Sequence, residues 1–189
     1  MSVKMKPIAF NDFVVRSHDL WARQWMLLTS GDFAEGRFNC MAVGWGSLGT
    51  MWGKPFAQVV VRPTRYTRQF MEQYDTFTLC AFPDEYRAAI QLLGTKSGRD
   101  SDKISESGLT PAASAAVAAP CFVEAELVIE CRKIYWQDMD AANFLDPEIE
   151  RNYPQKDYHR IYFGEISAIR GVERSRRPGA LSISSSSII

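Results

Sequence analysis

Arg62-Pro-Thr-Arg-Tyr-Thr67 places two guanidinium groups and two threonine hydroxyls within six residues, directly after the apolar run Phe56-Ala-Gln-Val-Val-Val61. A guanidinium forks onto phosphate oxygens through paired N–H groups, and hydroxyls add neutral donors. The run before them alternates poorly and is rich in β-branched residues, which predicts a buried strand delivering these groups to one end. A helical pattern from Tyr66 to Tyr74 follows, and a helix start brings free amides to the same place. Donors of these types at this spacing suit a bound phosphate. Arginines at a strand end are also ordinary surface residues, so the assignment rests on what other segments add.

Two other segments can meet that spot. Upstream, Asn39-Cys-Met-Ala-Val-Gly-Trp-Gly-Ser-Leu-Gly49 sets small residues beside an aromatic one. Its glycines also serve as turn punctuation, as a barrel corner requires. Downstream, Gly94-Thr-Lys-Ser-Gly-Arg-Asp-Ser-Asp-Lys103 forms a polar, basic loop. The three segments converge on one phosphorylated, flat ligand. Gly44-Trp-Gly-Ser-Leu-Gly49 has the Gly-x-Gly-x-x-Gly spacing after a strand, but another strand and no helical pattern follows it, so a nicotinamide nucleotide would bind transiently rather than in a dinucleotide fold of its own.

The 189 residues fit one domain, expected over 1–181, with a Ser-rich flexible tail over 182–189. Lys+Arg and Asp+Glu are both 22, so the net charge of +0 offers no long-range field for nucleic acid or anionic lipid, and any anion site is local. No apolar run reaches membrane-spanning length and no leader pattern opens the chain, which predicts a cytoplasmic protein with no membrane contact. The four cysteines (Cys40, Cys80, Cys121, Cys131) lack any Cys-x-x-Cys pair and sit among apolar neighbours, as reduced core thiols do. With only His18 and His159 to complete a site, no metal is expected. Trp45, Trp52 and Trp136 are expected in the core.

Patterning supplies the scaffold. Ser17 caps a short helix through Arg23. Trp25–Thr29 and Cys40–Trp45 form a hairpin, and a Gly-rich turn around Gly46, Gly49 and Gly53 leads to the strand at Phe56–Val61. Thr76–Phe82 is a strand, and Pro83 opens a helix through Leu93 that Gly94 caps. The Ala- and Ser-rich stretch between Ser105 and Pro120 is a surface excursion or weak helix that orders against a partner subunit. Cys121–Trp136 is one long strand with Glu124, Glu126 and Glu130 on a wet face, and Tyr158–Ile166 is another strand. Six or seven strands with two or three helices fit a mainly β fold, a small barrel with helical additions.

This order of motifs resembles the flavin reductase-like, FMN-binding split-barrel proteins, and among them the flavoredoxin-like branch. The resemblance runs through Asn39–Gly49, Trp52-Gly-Lys-Pro55, Arg62–Thr67, Gly94–Lys103, Asp157-Tyr-His159 and Gly164-Glu-Ile166. It implies a homodimeric split β-barrel that binds FMN, with FAD as the alternative flavin. NAD(P)H is then a transient co-substrate, and electrons pass to free flavin, oxygen or an acceptor protein. Position by position, it puts Met41, Ala42, Val43 and Gly44 along the flavin ring, with backbone amides facing its pyrimidine edge. Arg62, Thr64, Arg65 and Thr67 would serve the phosphate and ribityl chain, and Lys96, Ser97, Gly98 and Lys103 would close the site. His159 falls where nicotinamide docks. Many relatives carry Thr where this chain has Ala42, so a hydroxyl near the ring is absent. Within the family the rival is an FMN electron carrier reduced by a protein partner. Outside it, the rival is a barrel that binds single-stranded nucleic acid through Arg62–Phe70, against which the neutral charge argues.

Overall fold

The computed structural model describes residues 5–176, so the expected tail over 182–189 and the domain end at 181 lie outside it. The strands in chain order are β1 (Lys6–Pro7), β2 (Met26–Asp32), β3 (Arg37–Val43), β4 (Gly46–Met51), β5 (Lys54–Val61), β6 (Thr76–Ala81), β7 (Pro111–Ala112), β8 (Cys121–Phe122), β9 (Leu127–Asp138) and β10 (Arg160–Gly171). The helices are α1 (Ser17–Asp19), α2 (Thr67–Gln73), α3 (Arg87–Thr95) and α4 (Lys103–Ser107). No helix among the described residues is long and apolar enough to cross a membrane.

The main sheet is antiparallel in the order β3-β2-β6-β9-β10-β5-β4, with β1 added to β10. Laid flat, seven strands would separate the two edges by roughly 29 Å at about 4.8 Å per gap. Yet β3 and β4 are those edges, and only Gly44 and Trp45 join them, a reach of about 11 Å. The sheet must curl into a barrel, left open where β3 and β4 do not pair. This is the expected split barrel of mainly β character with helical additions.

Both faces of several strands are buried, which explains why they alternate poorly. Met26, Leu28, Met41, Val43, Leu79, Ile129 and Cys131 pack inside the barrel. Their neighbours Leu27, Cys40, Cys80 and Val128 face outward and are covered by Ile90 and Leu93 of α3, with Leu109 and Phe122. Each such side chain contributes about 1.5–3 kcal/mol by leaving water. All four cysteines are free and buried, as expected of core thiols.

Six local expectations need correction. Ser17 does not cap: α1 is a single turn with Arg16 at its N-cap, and it runs directly into a π-turn over Leu20–Gln24. Gly46 opens β4 rather than a turn, because a Cβ there would stand 2.4 Å from the Trp21 ring. Gly94 lies inside α3, whose C-cap is Lys96. The stretch up to Pro120 is tied to its own barrel: Ala115 and Ala116 donate to Glu130, Thr78 Oγ1 donates to Pro120 O at 2.6 Å, and Phe33 N donates to Ala118 O at 3.0 Å. Glu130 is accordingly fully buried, not on a wet face, and the expected single strand breaks into β8 and β9.

Candidate functional site

β5 ends at Val61, and the chain then turns, with Arg65 N donating to Arg62 O at 3.1 Å, before α2 begins at Thr67. The turn faces the segment between α3 and α4 across a cavity of about 200 Å³ lined by Asn39, Thr64, Arg65, Thr67, Lys96, Ser97, Gly98 and Lys103. Asn39 Nδ2 donates to Thr67 Oγ1 at 2.8 Å, so the buried Thr67 hydroxyl keeps its own proton to donate. A Cβ at Gly98 would stand 2.3 Å from Asn39 Oδ1, which keeps this wall open only with glycine. The amides of Tyr66 and Thr67 serve no described backbone carbonyl.

The cations here are not equivalent. Arg65 Nη2 donates to Gly94 O at 2.7 Å, and Lys103 Nζ donates to Leu93 O at 2.8 Å and Lys96 O at 3.1 Å. Both rest on the C-terminal carbonyls of α3, where positive charge is favoured. Among the described residues neither has a carboxylate partner. Burial lowers the pKa of each, and the Arg62 charge lowers Arg65 further. Lys96 is instead paired with Glu106 at the rim. Arg62 turns away: Nη1 lies 3.0 and 3.1 Å from the two Asp157 carboxylate oxygens, and Nη2 donates to Asn152 O at 2.7 Å. The two arginines of the motif thus part, Arg65 to the small cavity and Arg62 to the ion pair.

A second cavity, of about 380 Å³, adjoins the first and shares Met41, Arg65 and Thr95 with it. One wall is Met41, Ala42, Val43 and Gly44. Because β3 pairs only with β2, alternate residues of this strand direct N–H and C=O off the sheet. Ile90, Gln91 and Gly94 of α3 form another wall, and a Cβ at Gly94 would crowd Ala42 Cβ at 3.0 Å. Trp25, Arg62 and His159 complete the lining.

His159 is buried, with Nδ1 2.8 Å from Tyr153 Oη. Burial, aided by the Arg62 charge, pushes its pKa down to about 4, so it is neutral at pH 7. Tyr153 Oη also lies 3.5 Å from Met139 Sδ, but a ring nitrogen is the stronger acceptor. The hydrogen-bond network therefore assigns the phenol as donor to Nδ1 and leaves the imidazole proton on Nε2. The Trp45 ring sits 5.3 Å from His159 and is half exposed, and Trp52 and Trp136 are more exposed still, at 59% and 54%. None of these three is the core residue that its type suggests.

All the expected site residues line one or the other of the two adjoining cavities. Sequence reasoning placed Asn39 and Thr95 only within the converging segments, without a role, and missed Trp25, Ile90 and Gln91 as lining residues. A polar side chain within an apolar strand was the available signal for Asn39; the others carry none.

The sequence profile of the flavin reductase like domain matches residues 19–182. The chain belongs to this family. No protein of curated function matches it in sequence. Solved structures share the fold of this flavin reductase-like chain. The FMN-binding domain of a flavin reductases-like enzyme from Shewanella baltica OS155 is 17% identical, with TM-score 0.65 over 90% of this chain and 78% of that one. Flavoredoxin of Desulfovibrio vulgaris (Miyazaki F) is 22% identical, with TM-score 0.62 over 85% and 75%. Nitrilotriacetate monooxygenase component B from Bacillus cereus is 16% identical, with TM-score 0.64 over 82% and 73%.

The site fits a flavin, which the family's description names, and in particular the FMN that the Shewanella baltica protein's name states. A flavin mononucleotide needs a flat, largely apolar slot beside hydrogen-bonding backbone and an anion cradle at one end. The cavity along the β3 edge meets the first need. The hydroxyls, amides and unbalanced cations around Gly98 meet the second.

Proposed function

We propose that the chain is an FMN-binding oxidoreductase of the flavin reductase type, taking hydride from NAD(P)H and passing electrons to an acceptor. The observation that carries this reading is the junction of an apolar cavity with a smaller one where Arg65 and Lys103 have no carboxylate partner among the described residues. FMN, when bound, supplies two-electron chemistry at its ring. The protein binds and orients. Arg65, Lys103 and the Thr64 and Thr67 hydroxyls hold the phosphate end, with Asn39 turning the Thr67 hydroxyl toward it. The free edge of β3 offers donors and acceptors to the polar side of a flat ring. Arg62 holds Asp157, and through it the segment leading to His159, so that the neutral imidazole borders the ring cavity with Nε2–H as a hydrogen-bond donor to an incoming nicotinamide amide. No proton transfer through His159 is required, since its pKa lies well below neutral pH.

A homodimer is part of this reading. Trp52, Tyr135 and Phe163 form an aromatic cluster with centroids 5.7–6.1 Å apart, and Trp52 and Tyr135 are exposed on it. A second copy of the chain is the natural cover for such a face. Light scattering on the purified protein should give twice the chain mass, and a monomer would remove the dimer.

The test of function is an absorbance spectrum of protein mixed with FMN or FAD and desalted, followed by anaerobic NADH and then NADPH. Retained flavin bands that bleach with a nicotinamide are expected. Bands that persist would make the chain a carrier reduced by a protein partner, and a protein that neither retains flavin nor oxidises a nicotinamide with free flavin added would refute the flavin assignment.

A further inference from the structure

Trp25, one residue ahead of β2, has φ 59° and ψ 156°. That combination is almost confined to glycine, and a side chain held there persists only where its surroundings over-determine it. Here they do. Arg87, the first residue of α3, donates to the carbonyl oxygens of Arg23 and Gln24, the latter at 3.1 Å. The same guanidinium places its Cζ 4.0 Å from the centre of the Trp25 ring. One side chain thus clamps both the turn and the indole plane. The π-turn over Leu20–Gln24 just before it is the kind of helix irregularity that recurs at functional sites.

The clamped indole borders the larger cavity, next to its backbone wall. A Cβ built at Gly44 would lie 3.2 Å from Trp25 Cδ1 and 3.3 Å from Nε1, so glycine there lets the indole edge close on the link between β3 and β4. Packing against the outer core cluster that includes Ile90 and Leu93 covers only part of the indole. Trp25 is only half buried, while Met26 beside it fills the core in ordinary strand geometry. A strained, half-buried aromatic held by a dedicated cation at the border of a cavity is placed to meet whatever fills that cavity.

We propose that Trp25 is a specificity-determining wall of the larger cavity, its indole packing against the flat ring system of the bound flavin. The proposal rests on the flavin reading above. Arg87 is a positioning residue that acts on the ligand through the indole. An aromatic ring at this place favours planar, extended π-systems over puckered or branched ligands of equal size.

The test uses the full chain freed of flavin and titrated with FMN, read by flavin fluorescence, with thermal unfolding of the apoprotein measured alongside. An indole in contact with a flavin quenches its emission by electron transfer, and a phenyl ring does so far less. Trp25→Phe should keep the FMN dissociation constant within about threefold of wild type and leave the bound flavin visibly brighter. Trp25→Ala should weaken binding by about tenfold. Arg87→Gln should brighten bound flavin with the indole still present, and with Trp25→Phe it carries the test if Trp25→Ala does not fold. A Trp25 that merely holds the turn would lower the apoprotein midpoint in the variants and leave affinity and emission at wild-type values. That result overturns the proposal and leaves the flavin reading standing. A wild-type protein that takes up no flavin overturns both.

Discussion

Glu130 and Arg65 are both charged side chains drawn into the protein, and their surroundings treat them in opposite ways. Glu130 on β9 is fully buried and completely answered from within: Arg170 Nη2 lies at 3.1 Å, and the amides of Ala115 and Ala116 donate at 3.0 and 2.6 Å. Among the described residues Arg65 and Lys103 meet only backbone carbonyls, and no carboxylate there neutralises their positive charge beside the cavity. A closed ionic cluster holds a segment in place. An open one of a single sign stores unfavourable desolvation that an incoming anion relieves. Buried charge by itself therefore says nothing about function; what separates the two regions is whether the chain supplies the counter-charge.

Breaking the closed cluster should produce the largest effect, and it should fall on stability. Glu130→Ala strands Arg170 and releases the amides of Ala115 and Ala116, for which a loss of about 3 kcal/mol in urea unfolding of the apoprotein is expected. The folded fraction should bind FMN as the wild type does, and a matching loss of affinity would mean the two regions are coupled. Arg65→Ala should behave in reverse. Its FMN affinity should fall at least about tenfold, or about 1.4 kcal/mol, while the unfolding free energy changes by less than about 1 kcal/mol. Unchanged affinity would take Arg65 out of the phosphate role. Lys103→Met should fall between them, since the ammonium both caps α3 and faces the cavity: about 1 kcal/mol of stability lost, with a several-fold weaker FMN complex. Full retention of either property would show that only one of these functions is real.

The contrast also shows what the sequence could display. Alternation over Cys121–Trp136 correctly indicates strand, but a period of two says only which residues share a face, not whether that face is wet. Alternation puts Glu130 on a face with Glu124 and Glu126, and the segment that covers it, Ala113 to Pro120, is poor in hydrophobic bulk and looks like an excursion. It is ordered by backbone hydrogen bonds to Glu130, Thr76 and Thr78, which composition does not reveal. The cavity residues were far more legible, because Arg, Thr, Lys, Ser and Gly at a strand end and in a loop carry their chemistry openly. What stayed hidden was direction. Arg62 and Arg65 look alike in the motif, and only the fold shows that Asp157, far along the chain, claims one of them. Gly46 and Gly94 likewise read as punctuation, although Trp21 and Ala42 are what exclude a side chain there.

His159 offers the finest probe, because it belongs to the open region yet carries no charge at neutral pH. Its pKa of about 4 in the folded protein lies below its ordinary value of 6.5. The unfolded chain therefore binds a proton between these two pH values that the native chain refuses, and stability must fall as pH drops from 6.5 toward 4 while staying flat above. Asp157, held below the usual carboxylate range by its hydrogen bonds with Arg62, acts lower still, losing its contribution as pH falls through its folded value. Urea unfolding at pH 7 and pH 5 should show a smaller acid loss for His159→Gln than for wild type, because glutamine cannot titrate. The same neutrality makes a functional forecast: nicotinamide-driven bleaching of bound flavin should show no inflection near pH 6.5. An inflection there that vanishes in His159→Gln would mean that the imidazole titrates freely, and that Tyr153 and Arg62 do not keep it neutral in the working protein.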